Sequence, residues 1–182
     1  TLEKGALQLV MSGGLDEGQW SGALRDGVAR IENSEWRQES PTSLSFGPGG
    51  GRLEPWCWLH APKSSLCLSA EANGEQWNSS VSVAAFPLQQ FSPWLPRRDL
   101  RWVGRIEGDA RLAGSGASLR RIDADFRSGA GYLEHRFEGE SLRTDYQRFT
   151  VGIEGEPRAG LDGRVALELG ANEHVRVSAG LP

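Results

Sequence analysis

The chain has 182 residues, a formal charge of −4 and only 38% hydrophobic residues, a composition that suits one Gly-rich domain with a modest core. The acidic balance and the scattered arginines exclude a nucleic-acid-binding module, and no window approaches the ~18 consecutive apolar residues of a membrane span. Thr1 begins inside a polar, Gly-containing pattern rather than a signal peptide.

Period two dominates the chain. Weak alternations at Leu7/Leu9, Leu44/Phe46 and Val81/Val83 mark early strands. The clearest is 105–112, where Ile106, Gly108, Ala110 and Leu112 share one face and Arg105, Glu107, Asp109 and Arg111 the other. The pattern returns at 121–127 (Ile122, Ala124, Phe126) and at 164–169 (Val165, Leu167, Leu169), with weaker pairs at Val151/Ile153 and Val175/Val177. Turns are expected at Ser12-Gly13-Gly14, 47–51, Asn73-Gly74, Gly114-Ser115-Gly116, Ser128-Gly129, Gly155-Glu156-Pro157, Asp162-Gly163 and 170–172. Short strands separated by Gly-rich turns predict an all-β chain. The stretch 87–96 breaks the rhythm. Pro87 would open a short helical turn near 87–92 that plugs an open sheet end, or the stretch is a plain Pro-rich connector between sub-halves 1–86 and 97–182 of one elongated β domain.

Both cysteines lie in "WCWLHAPKSSLCL". Cys57, His60 and Cys67 lack the fourth ligand of a structural zinc site, and their spacing is not that of a Cys-x-x-Cys redox pair. A hairpin closed over 60–64 sets Cys57 opposite Cys67, Trp56 opposite Leu68 and Trp58 opposite Leu66, within disulfide reach. The sulfurs then share one face and the four apolar side chains the other. Such a disulfide is worth roughly 2–3 kcal/mol and suits an oxidising compartment, two free structural thiols being the alternative. His135 and His174 stand alone. Gly-x-Ser-x-Gly is absent, the carboxylates of 105–127 interleave with arginines, and the Asn78-Ser79-Ser80 sequon is a chance match. The residues point to no catalytic group, cofactor or metal.

What remains is a one-sided apolar surface of Trp56, Trp58, Leu66, Leu68, Ile106, Ala110, Leu112, Ile122, Ala124, Phe126, Val151, Ile153, Val165, Leu167 and Leu169. It is either a packed sandwich core or an open groove. The small residues Gly104, Gly108, Ala110 and Ala124 favour room for an apolar ligand. A carbohydrate-binding or hydrolytic module using Trp20, Trp36 or Trp77 is a third reading, weakened by the missing acid pair.

The order Cys57, Cys67, Trp77, Pro87-Leu88, Trp94-Leu95-Pro96, followed by "GRIEGDARLAGSG" at 104–116 and "FRSGAGYL" at 126–133, resembles the C-terminal region of the AsmA-like TamB family over about 31–182. The resemblance implies a curled antiparallel or mixed sheet, a taco-like or β-helical trough with an apolar interior. It implies a non-enzymatic periplasmic segment of a bridge that is anchored in the inner membrane and works with the outer-membrane barrel TamA through the full-length protein. The implied ligands are phospholipid acyl chains and client outer-membrane β-strands, in phospholipid transport and autotransporter assembly. The rival is a structural β-spacer with a filled core.

Overall fold

A computed structural model describes residues 5–31, 34–60, 63–90, 99–137, 139–170 and 173–181, and among them the fold is all-β. Two compact units divide the chain: 1–82 with 111–121, and 83–110 with 122–182.

Unit 1 holds β1 (Gly5–Asp16), β2 (Gln19–Ile31), β3 (Ser34–Gln38), β4 (Thr42–Gly47), β5 (Gly50–His60), β6 (Ser64–Asn73), and the outer parts of β7 (Gln76–Pro87), β9 (Arg105–Ser115) and β10 (Ser118–Ser128). The β1–β2 turn is Glu17-Gly18, both at positive φ, the geometry a two-residue hairpin needs. The expected turn at Ser12-Gly13-Gly14 lies inside β1 instead. Gly13 faces Gly22, and the Trp20 ring lies over both, so a Cβ at Gly13 would come within 2.6 Å of Trp20 Cζ2. These glycines admit a ring rather than a turn.

An irregularity crosses unit 1 from strand to strand. β1 slips between Gln8 and Val10, β2 carries Asp26 at φ 53°, and β5 slips between Leu53 and Trp56. β3 and β4 behave as one strand interrupted at 39–41: β2 pairs with β4 over Trp20–Leu24 and with β3 over Val28–Ile31. Bulges of this kind bend a strand and leave ladder groups unpaired. Gln38 takes up the slack. Its Nε2–H donates to the carbonyls of Leu24 (2.8 Å) and Ser40 (2.7 Å), and its Oε1 accepts from Gly27 N–H (3.2 Å). Thr42 Oγ1 donates to the Pro55 carbonyl (3.1 Å) and Glu39 N–H to that of Cys57 (2.9 Å). Leu24, Trp36 and Trp58, the buried apolar side chains among the described residues of this unit, gather along the same crease.

Unit 2 holds the remaining parts of β7, β9 and β10, then β13 (Arg148–Glu156), β14 (Gly160–Glu168) and β15 (His174–Leu181), in that order across one antiparallel sheet. The registers of β10, β13, β14 and β15 run without a shift. The expected turn at Asp162-Gly163 is also a strand position: Gly163 sits between Ile153 and Ala179. A second sheet orders β12 (Glu140–Tyr146), β11 (Gly131–Phe137) and β8 (Leu100–Val103). The helical segment is a short 3₁₀ turn at 88–90, with Pro87 closing β7 rather than opening the turn; residues 91–96 of that expectation lie outside the described residues.

A compact knot forms in unit 2. Tyr146, Leu88 and Ser128 are almost fully buried, and Trp102 meets Phe149 edge to face at 4.6 Å. Trp102 Nε1–H donates to the Tyr146 hydroxyl (3.1 Å), which donates to the Val103 carbonyl (3.2 Å). A Cβ at Gly104 would run into that hydroxyl, and one at Gly108, at φ 149°, would strike the Asp125 carbonyl. The room expected at these two glycines is therefore already filled, by the Tyr146 hydroxyl and by neighbouring backbone. Ala124, at 7% exposure, is packed as well.

Candidate functional site

Strand alternation gives each unit a sheet with one apolar face. In unit 1 the hairpin β5–β6 has the expected register: Trp56↔Leu68, Cys57↔Cys67, Trp58↔Leu66. Trp56 and Trp58 touch edge to face at 5.0 Å. The two sulfurs, on the other face, stand at disulfide bonding distance, with Cα atoms 4.0 Å apart. His60 alternates with Cys57 and so points with Trp58, away from the sulfurs. It stacks on Trp36 (5.2 Å), and its Nδ1–H donates to the Glu35 carbonyl (2.8 Å). The ligand set Cys57–His60–Cys67 is thus split across two faces. Among the described residues no group of three or more His, Cys, Asp or Glu is placed to hold a metal ion.

The apolar face of unit 1 extends beyond the residues expected for it. Trp20 pairs with Phe46, stacking at 5.1 Å, and with Leu15 on the other side. Leu24 pairs with Met11, and Leu44 with Leu53. Leu15 is 72% exposed, Met11 59% and Phe46 51%. Trp58 covers Gly27, whose Cβ would lie 2.7 Å from Trp58 Cη2. Trp36, considered above as an exposed sugar platform, is buried at this crease. Leu112 is half-buried on β9.

In unit 2 the expected residues fall into rows across strands. Phe126, Val151, Val165 and Val177 form one row, Ala124, Ile153, Gly163 and Ala179 a second, and Ser128, Phe149, Leu167 and Val175 a third. Ile122 faces Gly155, which faces Leu161. Ile106 and Ala110 alternate with exposed charges on β9, and Leu169 lies just past β14, its N–H donating to the Glu173 carbonyl (2.8 Å). Exposure rises across the sheet, from Phe149 at 8% through Val165 at 39% to Val175 at 49% and Val177 at 55%. The knot covers the Phe149–Ser128 corner and leaves the β14–β15 side bare. Phe149, Val175, Val177, Trp102 and Tyr146 were not expected at this site. The alternation Phe149-Val151-Ile153 carried the signal for the first; Trp102 and Tyr146 have no such pattern.

The opposite faces are charged. In unit 2 Arg127 pairs with Glu107 (2.8 Å), and Asp123, Glu154 and Asp162 form a row. In unit 1 Arg30 and Arg37 flank Glu35; hydrogen bonding from Arg30 holds the Glu35 carboxyl below its ordinary range. On the second sheet of unit 2 the Ser141 hydroxyl donates to Glu134 (2.7 Å) and lowers its pKa, helped by Arg136, Arg101 and Arg143. His135 pairs with Asp99. Among the described residues no helix is long and apolar enough to cross a membrane.

The family model described as "TamB, N-terminal domain" matches residues 3–179. No curated protein and no solved structure matches the chain. The match agrees with the family that the motif order resembles; the matching model is described as the N-terminal domain, where the motif order suggests an internal or C-terminal-region segment. It also takes in the first thirty residues, which carry no such motif. A two-residue rhythm looks the same wherever it stands in a long β chain, so it names the kind of sheet and not its place. With one apolar and one charged sheet face in each unit, and a match across nearly all its length, this chain belongs to the TamB family.

Proposed function

We propose that the chain is a non-enzymatic periplasmic segment of a TamB-like bridge between the inner and outer membranes, whose apolar sheet faces hold acyl chains. Family membership supports an envelope role alongside an outer-membrane partner module. The partner would be the barrel TamA, engaged by the full-length protein, in phospholipid transport and autotransporter assembly. The observation that carries the reading is the bare apolar side of unit 2, where Val165, Val175 and Val177 stay exposed in register. Each CH₂ of an acyl chain laid on such a face gains about 0.8 kcal/mol by leaving water, and no catalytic group is required. A filled spacer would have buried these valines. A second reading, pairing of a client β-strand, draws on β15 as the terminal strand of the sheet order.

Photo-crosslinking with a diazirine fatty acid tests the reading. Val177→Asp and Val165→Asp are expected to keep the fold and lose labelling, while Arg176→Asp on the charged face keeps both. Equal labelling of all three variants overturns it.

A further inference from the structure

The charged side of unit 1 carries a cavity for which the apolar face has no use. Alternation along β7 sends Gln76 and Asn78 to the face opposite Trp77, whose ring covers Gly114 and whose Nε1–H donates to the Gly116 carbonyl (2.9 Å). On that opposite face Gln76, Asn78, Ser115 and Arg120 line a cavity of about 400 Å³, with Ala113 between them; Trp77 and Gly114 complete its lining. The methyl of Ala113 is what leaves the depression between longer neighbours.

The lining is polar and carries one cation. Arg30, Arg37, Arg52, Arg127, Arg143 and Arg148 each stand against a carboxylate. Among the described residues Arg120, like Arg25, Arg111, Arg158, Arg164 and Arg176, has no such partner, and the side chains of Gln76, Asn78 and Ser115 have no hydrogen-bond partner there. No carboxylate lines the cavity. A guanidinium from β10, two carboxamides from β7 and a hydroxyl from β9 thus offer free N–H and O–H donors from three strands around one positive charge. A planar carboxylate has two acceptor atoms; a tetrahedral oxyanion has three or four and meets donors arriving from several directions.

We propose that this cavity binds a phosphate group, either free on a small polar molecule or carried by a lipid headgroup. Its lining shares no residue with the exposed valines of unit 2, so it stands or falls separately from the acyl-chain reading.

Amide-shift titration of the 182-residue chain with inorganic phosphate and with glycerol 3-phosphate tests it, against sodium chloride at matched ionic strength. Saturable shifts are expected at Gln76, Asn78, Ser115 and Arg120. Arg120→Gln should weaken binding about tenfold, the scale of one charge-assisted hydrogen bond. Ala113→Leu, which fills the depression and keeps the charge, should remove binding, and Arg164→Gln in unit 2 should change nothing. Vesicles of phosphatidylglycerol added as competitor separate the sources: displacement assigns the lipid headgroup, and its absence the free phosphate. Shifts reproduced by sodium chloride, or binding indifferent to both Arg120→Gln and Ala113→Leu, overturn the proposal. Unchanged fatty-acid labelling in the same variants keeps its failure distinct from that of the acyl-chain reading.

Discussion

The two units solve the same problem differently. Unit 1 is creased and aromatic. Its strands slip or break along one line, and its large rings lie on glycines: Trp20 on Gly13 and Gly22, Trp58 on Gly27, Trp77 on Gly114. Unit 2 is regular and aliphatic where its registers are continuous, with its aromatic side chains drawn into one knot at a corner. A ring on a glycine covers backbone locally, so a creased sheet can bury residues without a second layer. A row of valines has nothing above it unless another element supplies cover. Burial in unit 1 therefore follows the bulges, and in unit 2 it follows the second sheet.

The largest effects should come from the covered corner. Phe149→Ala is expected to cost about 3–5 kcal/mol in chemical denaturation, the usual range for a buried Phe. Val177→Ala, two strands across the sheet from Phe149, should stay within about 0.5 kcal/mol. Comparable losses at the two positions would mean that the β14–β15 side is covered, and the contrast between corner and bare face would collapse.

Next comes the pair of sulfurs. Replacing Cys57 and Cys67 by serine, or reducing them, should cost roughly 2–3 kcal/mol, the scale for closing a short loop. Hydrogen exchange should locate the loss in β5 and β6 and leave β13–β15 unchanged. Global loosening of both units would show that they unfold as one.

Gln38 tests the crease itself. Gln38→Leu keeps the bulk but strips the hydrogen bonds to Leu24, Gly27 and Ser40, at an expected cost of about 1–3 kcal/mol. Thr150→Val on the unbroken β13 should be close to neutral, since its register with Arg127 and Ala166 is carried by backbone. Equal effects would remove the distinction between a stitched sheet and a continuous one.

The smallest effect is acid sensitivity. Glu35 in unit 1, held by Arg30, and Glu134 in unit 2, held by Ser141, both have lowered pKa values when folded. A depressed carboxyl adds stability above its unfolded value of 4.5 and loses it as pH falls through the folded value. Glu35 is exposed enough for salt to screen its gain, and Glu134, at 18% side-chain exposure, is screened less. Thermal midpoints should therefore drop modestly below about pH 4.5 at low salt. Glu35→Gln and Glu134→Gln should each flatten part of that slope, and a slope untouched by either would place the acid-sensitive groups elsewhere.

Much of the strand content was legible because alternation is local: 105–112, 121–127 and all of 164–169 but its last residue fall on strands. The Cys57–Cys67 register was legible because a hairpin over so short a loop has few alternatives. Misreadings came where a glycine had two uses. Gly13 and Gly163 look like turn residues, yet they lie in strands; Gly104 and Gly108 look like spare room, yet a hydroxyl and a backbone carbonyl occupy it. The same absence of a side chain permits a turn, a close backbone approach or a cavity, and only a neighbour distant in sequence selects among them.

The sequence by itself determined an all-β chain with apolar and charged strand faces, the pairing of its two cysteines across one hairpin, and a family likeness carried by motif order. Each depends on spacing along the chain, which short-range geometry converts directly into faces and registers. Tertiary structure alone decided which apolar residues are covered. Val165 and Phe126 belong to one cross-strand row and read alike as sequence; one is exposed at 39% and the other half-buried. Cover depends on what the knot of Trp102, Tyr146 and Leu88 reaches, and those residues are brought together from strands and turns far apart in the chain.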